Sequence, residues 1–308
     1  MSSWSIVTFA NEMPEHMQAF VSWHLGAGAA QIDLFIDDPF WSSDMFDHLP
    51  QVKVTVCDGG FWRQHGFSEP PNRAQRQKTV ATFGYRQAAT EWVLHADIDE
   101  FVYAPDILEE LAQTGGRAAR IYPMERIFTN DTQSPYSNHF RAPTSERYPT
   151  WLDQIFEHPD QLDHGVRGHY VGKVFTRTGL DIQAIGAHNV VLPNGKQIPK
   201  SKGSVESPLL HFFVFDFEHF QRKGKWKFSR GPGNRLRDAA IEHPTERDRR
   251  RIHMAEVFES GNVTAQKALF NDLFVFPPER LSRLSEWQTV RQFEFTKTLE
   301  RRLKQYFP

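Results

Sequence analysis

Two carboxylates two residues apart, Asp97 and Asp99, close the apolar run Trp92-Val93-Leu94 within the stretch His95-Ala96-Asp97-Ile98-Asp99-Glu100-Phe101. At the end of a buried strand, where side chains alternate between faces, the pair points one way with Cβ atoms roughly 7 Å apart. That gap takes a divalent cation or two polar ligand atoms. Like charges at a strand end repel and lose hydration, so keeping both calls for a cation or hydrogen-bond donors between them. The alternative is a solvated strand end running into a turn, because a short D-x-D pattern arises often by chance. The apolar lead-in and the Glu-Phe continuation favour the cation.

Such a pair needs a sheet to hold it. Residues 4–10 form an apolar first strand, and Asn11-Glu12 then opens a segment in which Met17, Phe20, Val21 and Leu25 recur at helical spacing. Gly26 and Gly28 end that helix. Ile32–Ile36 is a second strand that stops at Asp37-Asp38-Pro39, and Val52–Val56 is a third, alternating and β-branched. A helix over 73–90 delivers the chain to the strand 92–96. This order predicts an α/β fold with a mostly parallel central sheet flanked by helices, in which ligands bind beyond the carboxyl ends of the strands. Residues 8–12, 37–38 and 97–99 then converge on one rim. Further on, 118–122 reads as a strand and 129–169 as a turn-rich loop or insertion, with strand-like runs at 170–176, 182–185 and 209–215. Helices are expected at 217–225, 246–259 and, amphipathic, 279–306. There is no internal repeat.

The 308 residues, 39% of them hydrophobic and 13% aromatic, are enough for a sizeable core. The single cysteine, Cys57, excludes an internal disulfide, and no Cys/His zinc spacing occurs. The N-terminus lacks a basic n-region and a long apolar h-region, and no apolar window approaches the length of a membrane helix. A cytoplasmic protein is expected. Residues 216–308 carry 19 Lys and Arg against 13 Asp and Glu, leaving 17 against 25 for residues 1–215. The C-terminal region is therefore a basic, helical appendage on an acidic body. Its charge is either a solvated helix face or a surface for an anionic partner, a phosphate, a polyanionic glycan or a membrane.

The run Ile6-Val7-Thr8-Phe9-Ala10-Asn11-Glu12, then Phe20-Val21-Ser22-Trp23-His24-Leu25-Gly26-Ala27-Gly28, then Asp37-Asp38, then Asp97-Ile98-Asp99-Glu100-Phe101, resembles the glycosyltransferase family 2-like group of bacterial proteins, which has a GT-A fold. Lys173 with Arg177, His188, and His211 ahead of Phe217-Glu218-His219-Phe220-Gln221-Arg222-Lys223-Gly224 resemble the later lysine, histidine and phenylalanine-lysine-glycine segments of that group. The resemblance covers about residues 5–225.

It implies a nucleotide-diphosphate-sugar donor bound with Mn²⁺ or Mg²⁺ at the strand ends, and transfer of the sugar to a glycan or lipid-linked acceptor hydroxyl. A hard cation prefers carboxylate oxygens and neutralises charge growing on the leaving diphosphate. Asp97, Asp99 and His211 make up the implied metal set, with Asp99 the direct ligand and Asp97 toward the ribose or a metal-bound water. His211 has the alternative of a satisfied structural histidine. Glu100 either orients this shell or is a helix N-terminal acid. Phe9, Ala10, Asn11, Glu12, Asp37 and Asp38 are placed around the nucleoside. Arg73, Arg76, Gln77, Lys78, Lys173 and Arg177 are placed toward the diphosphate, the alternative for the helix residues being a solvated face. An inverting transfer needs a general base near the acceptor. Glu125 is the favoured position, with Asp131, Asp153 and Asp163 as alternatives, because the chain lacks the group's E-D dipeptide followed by Q-x-x-R-W. These assignments divide the chain into 1–215, with donor and metal residues in 1–125 and the acceptor side in 126–215, and a 216–308 extension. No nucleic-acid partner is expected, and the basic extension allows peripheral contact with the inner face of a membrane.

Two rival classes are weighed against this one. A haloacid-dehalogenase-type phosphatase also sets D-x-D at a strand end, the first Asp being the nucleophile, but near the N-terminus and without Glu-Phe after it. A non-catalytic glycan- or nucleotide-binding protein would have no need of both acids. A nucleotidyltransferase, a chemical cousin of the transferase, needs a Gly-rich N-terminal phosphate loop, and residues 8–14 contain no glycine.

Overall fold

A computed structural model of the chain describes residues 2–37, 44–67, 72–129, 135–198, 204–229 and 245–308. In chain order these form β1 (Trp4–Ala10), α1 (Pro14–Gly26), β2 (Gln31–Ile36), β3 (Val52–Val56), α2 (Gly59–Gln64), α3 (Arg73–Gln87), β4 (Trp92–His95), β5 (Glu100–Val102), α4 (Ile107–Gln113) and β6 (Ala118–Ile121). There follow β7 (Pro123–Arg126), β8 (His139–Arg141), α5 (Leu152–Ile155), β9 (Lys173–Arg177), β10 (Ala184–Ile185), β11 (Val190–Val191) and β12 (Leu209–His211). The last elements are α6 (Phe217–Ser229), α7 (Glu246–Glu259), α8 (Val263–Phe274), α9 (Pro278–Trp287), β13 (Val290–Gln292) and α10 (Phe295–Tyr306). The amphipathic stretch expected as one helix over 279–306 is thus two helices with a strand between them.

Contacts gather these elements into two compact units, residues 1–123 with 171–211 and 297–308, and residues 124–170 with 212–296. The units interleave along the chain instead of following one another across residue 215. The first unit has the expected α/β architecture. Its six-stranded sheet runs β3-β2-β1-β4-β9-β6. β1 pairs in parallel with β2 and β4, and β2 with β3, while β9 lies antiparallel to both β4 and β6. Every residue of β1 and β4 is buried, as an interior strand with both faces covered requires. Asn72 caps α3 by accepting from the Gln75 N–H at 3.1 Å, and Gly84 lets the helix lie close on β1, where a Cβ would fall 2.7 Å from Val7. Both devices fix which side chains α3 presents at the strand ends.

The second unit has β7, β8 and β13 paired antiparallel beside a helical core of Phe220, Met254, Phe258, Phe270, Leu273 and Phe274. Gly224 belongs to this packing. A Cβ there would fall 2.1 Å from the Phe258 ring, so the close approach of α6 to α7 at this point needs a residue with no side chain. Gly224→Ala is expected to cost about 1–3 kcal/mol, the usual range for overpacking. It would read as a lower urea midpoint at unchanged slope, and an unshifted midpoint would refute this packing.

Candidate functional site

The acidic pair does not lie on a strand. β4 ends at His95, and Asp97-Ile98-Asp99-Glu100 is a tight turn into β5. The Glu100 N–H donates to the Asp97 carbonyl at 3.0 Å, and the Asp97 N–H donates to Glu100 Oε2 at 2.7 Å. This reciprocal closure overrides the period-two alternation that puts the two acids on one face. Glu100 begins a strand, so the helix N-terminal reading of it is set aside.

Both oxygens of Asp97 are engaged. Gln77 Nε2 donates to Oδ1 at 2.6 Å, and Lys173 Nζ donates to Oδ2 at 2.7 Å. The same ammonium stands 3.3 Å from Glu100 Oε2, with the Lys173 and Glu100 side chains fully buried. Burial works against a charged Asp97, yet the Lys173 ammonium outweighs it and holds the carboxyl well below the usual carboxylate range. Burial likewise opposes a charged lysine, and the two carboxylates raise its pKa above the ordinary value.

Behind the turn, α1 grips β5. Trp23 Nε1 donates to the Val102 carbonyl at 2.7 Å, and the Val102 N–H donates to His24 Nε2 at 3.2 Å. His24 therefore carries its proton on Nδ1, which donates to the Phe20 carbonyl at 2.9 Å. Burial, helped by the Arg302 charge and only partly offset by the bond to Phe20, keeps the ring neutral and lowers its pKa to about 3. The Trp-His pair that marks the resemblance thus positions the strand after the acids. On the other side of β5, β12 runs antiparallel with His211 opposite Glu100. His211 Nε2 lies 3.8 Å from Asp99 Oδ1, and a His211 nitrogen lies within 4.8 Å of a Glu100 oxygen.

The first turns of α3 tie the other strand ends together. Arg76 pairs with Asp37 at 2.5 Å, and its guanidinium sits 5.8 Å from the Phe9 ring centroid. Consecutive residues, Arg76 and Gln77, therefore brace the ends of β2, β1 and β4. Phe9 and Ala10 are buried, Asn11 is exposed and Glu12 half-buried, while Arg73 and Lys78 are exposed on α3. Asp38 lies outside the described residues. Nearby, burial pushes the Cys57 thiol up to about 12, which removes it as a nucleophile.

Other expected residues are elsewhere. Arg177 stands opposite Trp92, at the start of β4 and the far end of β9 from Lys173, and pairs with Glu91. It cannot join Lys173 in holding one diphosphate. His188 Nδ1 donates to the Gly172 carbonyl at 2.9 Å. Glu125 lies in the second unit, where its buried carboxylate accepts from Arg141 at 2.6 Å and from the Arg167 and Gly168 N–H groups at 3.0 and 2.5 Å. A carboxylate held by this many donors is a poor base, so Glu125 is withdrawn as the proton acceptor. Asp153 is exposed on α5, Asp163 pairs with Arg147 at 2.9 Å, and Asp131 is outside the described residues.

No known family matches the chain, and no curated protein does. Solved structures give remote likenesses. Bifunctional IspDF from Campylobacter jejuni is 12% identical over 43% of this chain and 35% of its own length, with a TM-score of 0.26. HddC from Yersinia pseudotuberculosis is 8% identical over 68% of this chain and 93% of its own, with a TM-score of 0.36. S. aureus TarS 1-349 is 12% identical over 99% of this chain and 83% of its own, with a TM-score of 0.27. This chain therefore spans about a third of IspDF, and at these TM-scores the likenesses carry no weight for function. Among the described residues, no helix is long and apolar enough to cross a membrane.

Proposed function

We propose that the first unit binds a nucleotide-diphosphate-sugar at the carboxyl ends of β1, β2 and β4, and that the protein transfers the sugar to a glycan or lipid-linked acceptor hydroxyl. The observation that carries this reading is the approach of Asp99 to His211, 3.8 Å apart and both buried, beside an acidic turn at the strand ends. The Asp99 carboxylate oxygen and the His211 imidazole nitrogen are donors that a divalent cation takes, and the imidazole favours Mn²⁺ over Mg²⁺. When bound, such a cation neutralises charge on a departing diphosphate. Asp37, Phe9 and Arg76 form the braced edge on which a nucleoside would rest, and the half-buried Asp97 is turned toward the rim by Gln77 and Lys173.

The phosphatase reading needs Asp97 as a nucleophile. A carboxylate whose two oxygens are held by an amide and an ammonium is poorly suited to that attack. The basic excess of residues 216–308 suits an acceptor carried on an anionic surface or polymer.

The test is a thermal-shift screen of nucleoside diphosphates and their sugars with Mn²⁺. Near saturation the wild type is expected to rise by on the order of 5 °C, and Asp99→Asn to lose most of that rise. A variant that shifts as much as its parent would overturn the metal assignment, and the absence of any nucleotide shift would overturn the function.

A further inference from the structure

The D-x-D-E turn already holds a cation of its own. Lys173 Nζ lies 2.7 Å from Asp97 Oδ2 and 3.3 Å from Glu100 Oε2, and no part of its side chain reaches solvent. Asp97 Oδ1 is filled by Gln77 Nε2 at 2.6 Å. A divalent ion at Asp97 would have to displace a buried ammonium from two carboxylates, or displace Gln77 and then sit beside that ammonium. Like charges at such distances in a water-poor site are strongly disfavoured.

The lysine is also built in. Gly172, just before it, has φ +78°, and a Cβ there would fall 2.2 Å from the Ile121 carbonyl oxygen, so only glycine brings β9 this close to β6. His188 Nδ1 donates to the Gly172 carbonyl, and Arg120 donates to the His188 carbonyl at 3.1 Å. Three residues from separate segments thus fix the backbone that aims Lys173.

We infer that Lys173 is the resident cation of the turn, a positioning residue that holds Asp97 and Glu100 and excludes a divalent metal from Asp97. Any metal the protein binds is confined to the Asp99 and His211 side, so Asp97 is not a ligand. This deepens the proposed function and rests on that reading for the role of the turn. Lys173 touches no substrate, since it is buried. Its task is to hold two acids in one place without a soluble ion.

The experiment uses the whole chain and Mn²⁺ as the probe, with binding followed by electron paramagnetic resonance titration and stability by melting in EDTA and in Mn²⁺. Asp97→Asn is expected to keep Mn²⁺ affinity within about threefold of wild type, whereas Asp99→Asn loses tenfold or more. Lys173→Met is expected to melt lower in EDTA by on the order of 5–10 °C. Mn²⁺ should restore part of that loss by entering the vacated place, and Lys173→Arg should restore part without metal. If Lys173→Met does not fold in EDTA, the double variant Lys173→Met with Glu100→Gln, which removes the charge imbalance, should fold and lose the Mn²⁺ rescue. A tenfold loss of Mn²⁺ affinity in Asp97→Asn, or a Lys173→Met variant that melts like wild type, overturns the inference. A wild type that binds no Mn²⁺ speaks against the Asp99 and His211 site instead, and the Lys173→Met rescue then decides this inference alone.

Discussion

Arg141→Met is expected to lower the unfolding free energy by about 3–5 kcal/mol, the range found when one partner of a buried ion pair is removed. Arg141 and Glu125 stand opposite one another on β8 and β7, their side chains almost wholly buried. The guanidinium also donates to the Leu273 carbonyl at 3.1 Å and packs between the Phe156 and Phe276 rings. Its loss removes the counter-charge of a buried carboxylate, which keeps its bonds from the Arg167 and Gly168 N–H groups. Against a total stability of roughly 5–15 kcal/mol this is a large fraction. Urea unfolding reads it directly, and a cycle with Glu125→Gln separates the pair term from the packing term. The same Glu125→Gln decides whether Glu125 is structural. If turnover vanishes while the urea midpoint stays at the wild-type value, the acid is a base after all.

Acidification is expected to destabilise the first unit before its carboxylates titrate. His24 is neutral in the fold, with its pKa lowered from 6.5 to about 3. The unfolded chain therefore takes up a proton near pH 6.5 that the folded chain refuses until about pH 3. Stability is unaffected by this group above pH 6.5 and falls as the pH drops through that window, by about 1.4 kcal/mol per unit. Between pH 6.5 and 5 His24 alone costs about 2 kcal/mol. His95, lowered to about 4 by burial and by the Lys173 ammonium, adds to the loss in the same direction. Urea midpoints measured across pH 5–7.5 should fall with pH, and His24→Gln should flatten the slope by about one proton. A midpoint that is level over this range would mean that His24 is not held neutral.

The first unit was readable because its signals are local. β1 to β4 are apolar, β-branched or aromatic runs, and α1 shows its helical spacing in the chain itself, whereas the short α2 carries no such signal. The place of the acidic pair was equally visible. Its shape was not, since the strand stops at His95 through a bond from Asp97 to Glu100 and a lysine 76 residues further on. Glu125 illustrates the same limit. A lone acid after a strand suggests a base, and only the cross-strand register with Arg141 shows that its charge is already matched. Trp23 and His24 were recognisable as a pair, but their common partner, Val102, is remote in sequence. The interleaving of the two units depends wholly on such distant contacts.

That interleaving has a consequence for the order in which a ribosome makes the protein. β9 is inserted between β4 and β6, so the sheet cannot be completed until residues 173–177 have been synthesised. Arg302 stacks 4.4 Å from the Trp23 ring, donates to the Trp23 carbonyl at 2.7 Å and fills the space left by Gly26. At about 5–20 residues per second, tens of seconds separate Trp23 from Arg302. Throughout that interval the face of α1 that Arg302 covers awaits its cover.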